Sequence, residues 1–149
     1  RINNIEKAKF ELQKYKIKIL KCSSNYISES WPISSFPYYI NIILKVGTTL
    51  KPLEFLKICN LIELKLGRVR SKKNYPRTCD IDIIDNNKKV INLANNKLIL
   101  PHVRVNKRNF VLLPLFEIDP NWIHPKTNKS IKKLIFSLPI KDITTIKHL

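Results

Sequence analysis

The chain has 149 residues, 44% of them hydrophobic, and a formal net charge of +17. That length and apolar content suit one globular domain, residues 1–149, and exclude a disordered tail or a disulfide-held miniprotein. No apolar run approaches the ~20 residues that cross a bilayer, and the opening RINNIEKAKF lacks the apolar centre of a signal peptide, so a cytoplasmic protein with no membrane partner is expected.

Ile5, Ala8, Leu12 and Tyr15 recur at helical spacing and predict an amphipathic helix from Asn3 to about Lys16. Ile17 to Ile27 reads as extended. The run SESWPISSFP (28–37) holds serines and two prolines and is a loop with an unusually apolar Trp31. Tyr38 to Val46 alternates, with Ile40, Ile42, Leu44 and Val46 on one face and Tyr39 and Asn41 on the other, and predicts a single strand. A second helix follows, opened by Pro52, striped by Phe55, Cys59, Ile62 and Leu66 and stopped at Gly67. RVRSKKNYP (68–76) is a basic loop.

PRTCDIDIID (76–85) then predicts a strand with Cys79, Ile81 and Ile83 on one face and Asp80 and Asp82 on the other, about 7 Å apart. Taken alone, such a pair is either the solvated face of an edge strand or a shelf for something positive. Asp85, Asn86 and Asn87 form a turn signal, with Lys89 to Leu93 a candidate hairpin partner of the Asp strand. LILPHVRVNKRNFVLLPLFEIDP (98–120) passes from extended to helical, with Pro114 and Pro120 limiting the helices, and a short helix is expected over 130–136.

Cys22, Cys59 and Cys79 are odd in number and set among apolar residues, as reduced core thiols would be, and the three histidines form no zinc pattern. Lysines are spread through every segment. Of the six arginines, however, Arg68, Arg70, Arg77, Arg104 and Arg108 flank the Asp pair. A planar guanidinium grips phosphate oxygens two at a time where an ammonium is a point charge, so this cluster marks a candidate phosphate site.

KNYPRTCDIDII (73–84) resembles the signature of the 6-hydroxymethyl-7,8-dihydropterin pyrophosphokinases around their paired metal-binding aspartates. GRVR (67–70), YIN (39–41), LPHVR (100–104) and RNFVLLPLFEIDP (108–120) resemble further motifs of that family, in its order and near its spacing. The resemblance implies an enzyme of folate biosynthesis that moves pyrophosphate from ATP to the hydroxymethyl group of the pterin and releases AMP. It implies two magnesium ions on Asp80 and Asp82, with Arg68 and Arg77 completing the catalytic set. Asn60, Glu63, Arg70, Arg77, Ile83, Lys97, His102 and Arg108 correspond to ATP-side positions. Ser28, Trp31, Tyr39, Asn41 and Phe110 correspond to the pterin pocket, where a flat heterocycle is stacked and its edge read by an amide.

The implied fold is α+β, a ferredoxin-like βαββαβ antiparallel sheet with helices on one face. Its first strand and glycine-containing turn are missing ahead of Arg1, and a preceding segment is expected. A monomer that does not bind nucleic acid is also expected. Tyr75 replaces a small residue of the family signature, Val103 an aromatic, and Lys97 and Ile99 an arginine and a threonine near the nucleotide. The alternatives are a catalytically inactive homologue and a basic RNA-binding module, although the glycine-and-aromatic signature of such a module is absent from a chain with two glycines.

Overall fold

A computed structural model describes residues 1–29, 38–67 and 78–149. The predicted loop around Trp31 and the basic loop carrying Arg68, Arg70 and Arg77 lie outside the described residues. The first helix, α1, spans Ile2–Lys14 and buries Ala8 and Leu12. Lys16, at φ 59°, turns the chain out of the helix. Pro52–Lys65 forms α2, in which Cys59 and Ile62 are wholly buried. Pro52 occupies a first-turn position where its missing N–H costs nothing, and the Lys51 N–H donates to Glu54 at 2.9 Å. Gly67, at φ 84°, closes the helix as only a residue without Cβ does cheaply. α1 and α2 pack together around Leu12 and Ile62, and Lys65 of α2 donates to Glu11 of α1 at 2.7 Å. Burying each of these aliphatic side chains contributes about 1.5–3 kcal/mol.

Strands β1 (Lys18–Cys22), β2 (Tyr26–Ser28), β3 (Tyr39–Asn41) and β4 (Leu44–Gly47) make one antiparallel ribbon with a break on each side. β1 pairs with β4, β2 with β3, and Ser23 bridges the break, its backbone N–H donating to the Ile43 carbonyl and its hydroxyl accepting from the Ile43 N–H, both at 2.9 Å. The strand expected from Tyr38 to Val46 is therefore two strands. The alternation continues through the break, so only the distant Ser23 reveals it.

β5 (Ile91–Leu93) pairs with β6 (Leu98–Leu100), not with the Asp segment as expected. Turn residues Ala94, Asn95 and Asn96 hold positive φ and fold the two strands onto each other. A 3-10 turn at Val105–Lys107 leads into α3 (Asn109–Ile118), followed by α4 (Ile131–Phe136), α5 (Ile140–Thr144) and β7 (Lys147–His148). Ser130 caps α4, accepting from the Lys133 N–H. Pro114 lies inside α3 and does not end it. Its ring is fully buried in the core side of the helix, where packing outweighs the one backbone bond that a proline cannot give.

The architecture is α+β, with three small antiparallel sheets among the described residues: β1–β4, β3–β2–β7 and β5–β6. One core joins α3 to α4 around Leu112, Trp122 and Ile131; the other lies under α1 and α2. Cys79–Ile84 joins no ladder among the described residues, a correction to the predicted strand. Cys22 is exposed and not a core thiol, because β1 is uncovered on both faces from Leu20 to Cys22.

Candidate functional site

Burial alternates along Cys79–Ile83, as it does in an extended chain. Asp80 and Asp82 are exposed, while Cys79 and Ile81 pack against the α1–α2 core. What holds this run in place is tertiary. The Ile81 N–H donates to the buried Glu63 carboxylate at 2.7 Å, the His102 N–H to the Ile84 carbonyl at 2.9 Å, and the Asn4 amide to the Thr78 carbonyl at 3.1 Å. Glu63 is only 3% exposed, so it is a strut from α2 to the carboxylate segment and not a solvated helix polar. Burial first, and then the Asp80 charge, push the Cys79 thiol up, which keeps it protonated.

Arg108 donates to Asp82 at 2.8 Å, and its guanidinium lies 5.5 Å from the centre of the Phe110 ring, a cation–π distance. His102 Nε2 lies 3.9 Å from the same Asp82 oxygen. The Arg104 N–H donates to His102 Nδ1 at 3.1 Å, which leaves the ring proton on Nε2, facing Asp82. Burial lowers the His102 pKa, Asp82 opposes it, and Arg108 and Arg104 add to the lowering. The imidazole is thus neutral at neutral pH and presents a donor.

Ser28, Tyr39 and Asn41 meet across the β2–β3 pair, where the Asn41 amide donates to the Ser28 hydroxyl at 2.9 Å. They share one groove of about 1850 Å³ with Asp80, Asp82, Ile83, Arg108 and Phe110. Asn60 and Lys97 border a separate apolar cleft of about 190 Å³ between α2 and the β5–β6 hairpin, together with Leu53 and Leu56. The structure therefore brings Ser28, Tyr39, Asn41 and Phe110 into one groove with the carboxylates and sets Asn60 and Lys97 apart. Arg104, a member of the arginine cluster that marks the candidate phosphate site, lines the groove as well, and so does Lys107, which the sequence did not single out. Asn109 was missed as well; nothing but its place before Phe110 pointed to it.

Among the described residues no three His, Cys, Asp or Glu side chains gather into a metal cage. Two groove-facing carboxylates fit magnesium, which retains waters and shares its other positions with phosphate oxygens. The arrangement can hold a metal-bound polyphosphate beside a slot for a flat heterocycle.

A family profile described as 7,8-dihydro-6-hydroxymethylpterin-pyrophosphokinase matches residues 1–120. The chain is 38% identical to the folic acid synthesis protein fol1 of Pneumocystis carinii over 87% of its own length and 17% of that protein. It is 39% identical to a 2-amino-4-hydroxy-6-hydroxymethyldihydropteridine pyrophosphokinase of Synechocystis, over 80% of this chain and 60% of that one. For the protein of the same description from Aquifex aeolicus the identity is 37%, over 89% of this chain and 81% of that one. The chain belongs to the 7,8-dihydro-6-hydroxymethylpterin pyrophosphokinase family.

Proposed function

We propose that this chain transfers the pyrophosphoryl group of ATP to the hydroxymethyl oxygen of 6-hydroxymethyl-7,8-dihydropterin, releasing AMP, as a step of folate biosynthesis. The observation that carries the reading is the single groove in which Asp80, Asp82 and Arg108 stand beside Asn41 and Phe110. Phosphoryl transfer of this kind needs positioning and charge neutralisation, with no covalent enzyme intermediate.

Asp80 and Asp82 would hold two magnesium ions, which when bound neutralise phosphate charge and orient the oxygens for in-line attack. Arg108 sits where it can exchange Asp82 for a phosphate oxygen, and neutral His102 offers Nε2–H to the same place. Arg68, Arg70 and Arg77 are assigned to the triphosphate on their motifs, and Trp31 to the pterin pocket on its loop. Asn60 and Lys97 take the nucleoside end, with Glu63 supporting the phosphate end from beneath; the apolar cleft beside Asn60 supports this division. Phe110 and Tyr39 stack on the pterin, and Asn41, steadied by Ser28, reads its edge.

The finer fold is a ferredoxin-like βαββαβ sheet with helices on one face; the antiparallel pairing of β1 with β4 and of β2 with β3 supports the reading. The reading carries with it a cytoplasmic monomer without a nucleic-acid partner, a location that the free thiols fit. No helix among the described residues is long and apolar enough to cross a membrane.

Titration separates the two halves of the site. Phe110→Ala should weaken pterin binding about tenfold while leaving magnesium–nucleotide affinity unchanged. Loss of nucleotide affinity with pterin binding intact would refute the assignment.

A further inference from the structure

Residues after 120 lie outside the family match, yet Lys141, Asp142 and Thr145 line the groove. α5 packs Ile143 against the α3–α4 core, and Lys141, Asp142 and Thr145 line the groove beside Phe110. The side chain of Asn109 acts in two directions. Its oxygen accepts from the Phe110 N–H at 2.7 Å, and its amide donates to the Asp142 carbonyl in α5. Four residues on from Ile143, the chain enters β7, which adds to the edge of β2 opposite Tyr26 and Ile27, and the Leu149 N–H donates to the Asn25 carbonyl at 2.9 Å. β2 carries Ser28 and is paired on its other edge with β3, the strand of Tyr39 and Asn41.

We infer that residues 140–149 form a strap that ties the α3 wall of the pterin slot to its β2–β3 wall and sets the slot's width, with Asn109 as the positioning residue that seats Phe110. The inference rests on the pterin assignment made above. The strap meets β2 by backbone pairing and α3 through the Asp142 carbonyl and the packed Ile143 side chain, so its geometry is not set by long flexible side chains. A slot for a flat ring is sensitive to such spacing, since stacking weakens quickly as the faces separate. Asn109 begins α3, so a change there reaches Phe110 without disturbing the aspartates.

Asn109→Asp tests this in the full chain. It keeps the acceptor for the Phe110 N–H, suits a helix N-terminus, and replaces the donor to Asp142 with a repelling oxygen. Pterin affinity should fall about fivefold, the worth of one ordinary hydrogen bond, with magnesium–nucleotide affinity unchanged and Tm lower by only about 2–4 °C. Ile143→Ala should lower pterin affinity in the same selective way, and the double variant should lose less than the two single losses combined. Unchanged pterin affinity in Asn109→Asp, or equal loss of both ligands, would overturn the strap. Phe110→Ala, measured alongside, distinguishes the two levels: if it too leaves pterin affinity intact, the pterin assignment fails, whereas a selective loss there with none in Asn109→Asp removes the strap alone.

Discussion

Asp82 receives one charged donor from Arg108 and faces one neutral donor from His102, so its negative charge is focused where a cation or phosphate-bound metal would sit. Asp82→Asn keeps the shape and removes the charge. Turnover should fall by at least about a hundredfold, with the far-ultraviolet spectrum and Tm little altered, because a half-exposed carboxylate contributes little to stability. A near-normal rate would remove the metal shelf from the mechanism. His102 and His124 are both held below the ordinary histidine value of 6.5, in each case chiefly by burial. The unfolded chain takes up these protons before the folded one does. Stability from both groups is therefore fully present above pH 6.5 and is lost as pH falls through their folded values. Urea midpoints measured from pH 7.5 down to about 5 should fall, and the fall should shrink in His102→Gln; an identical slope would show that this imidazole titrates normally.

Between elements, the decisive link runs from α2 to the carboxylate run through Glu63 and the Ile81 N–H. Glu63→Ala leaves that amide without its acceptor in a buried place, a loss of about 1–3 kcal/mol. At roughly 2–4 °C per kcal/mol for a chain of this size, Tm should drop by several degrees, and kcat should fall further than the stability loss explains because both aspartates lose their register. Normal kcat at a temperature where the variant is folded would show that α2 does not position the shelf. α2 itself was legible from Pro52, the Phe55–Cys59–Ile62–Leu66 stripe and Gly67, since all its signals are local. The ribbon break was not, because it depends on Ser23, twenty residues from Ile43. The Asp run was legible in its alternation and misread in its pairing: period-two burial comes from packing on the α1–α2 core, with no ladder required.

At the scale of the whole molecule, the net charge of +17 says little by itself, and the site is defined by where the cations and carboxylates converge. The motifs made the groove's contents legible: Asn41, Asp80, Asp82, Arg108 and Phe110 do line one cavity. The attachment of α5 to α3 and of β7 to β2 was not legible, because it runs through the Asp142 carbonyl and edge pairing, which leave no side-chain signature. Arg68, Arg70, Arg77 and Trp31 rest on sequence motifs. The most direct test is the nucleotide product formed when the protein turns over ATP, magnesium and 6-hydroxymethyl-7,8-dihydropterin. Chromatography should show AMP and the pterin diphosphate rising together, one for one, with both abolished by chelation of the metal. ADP with a pterin monophosphate, or ATP left intact, would contradict the proposed transfer.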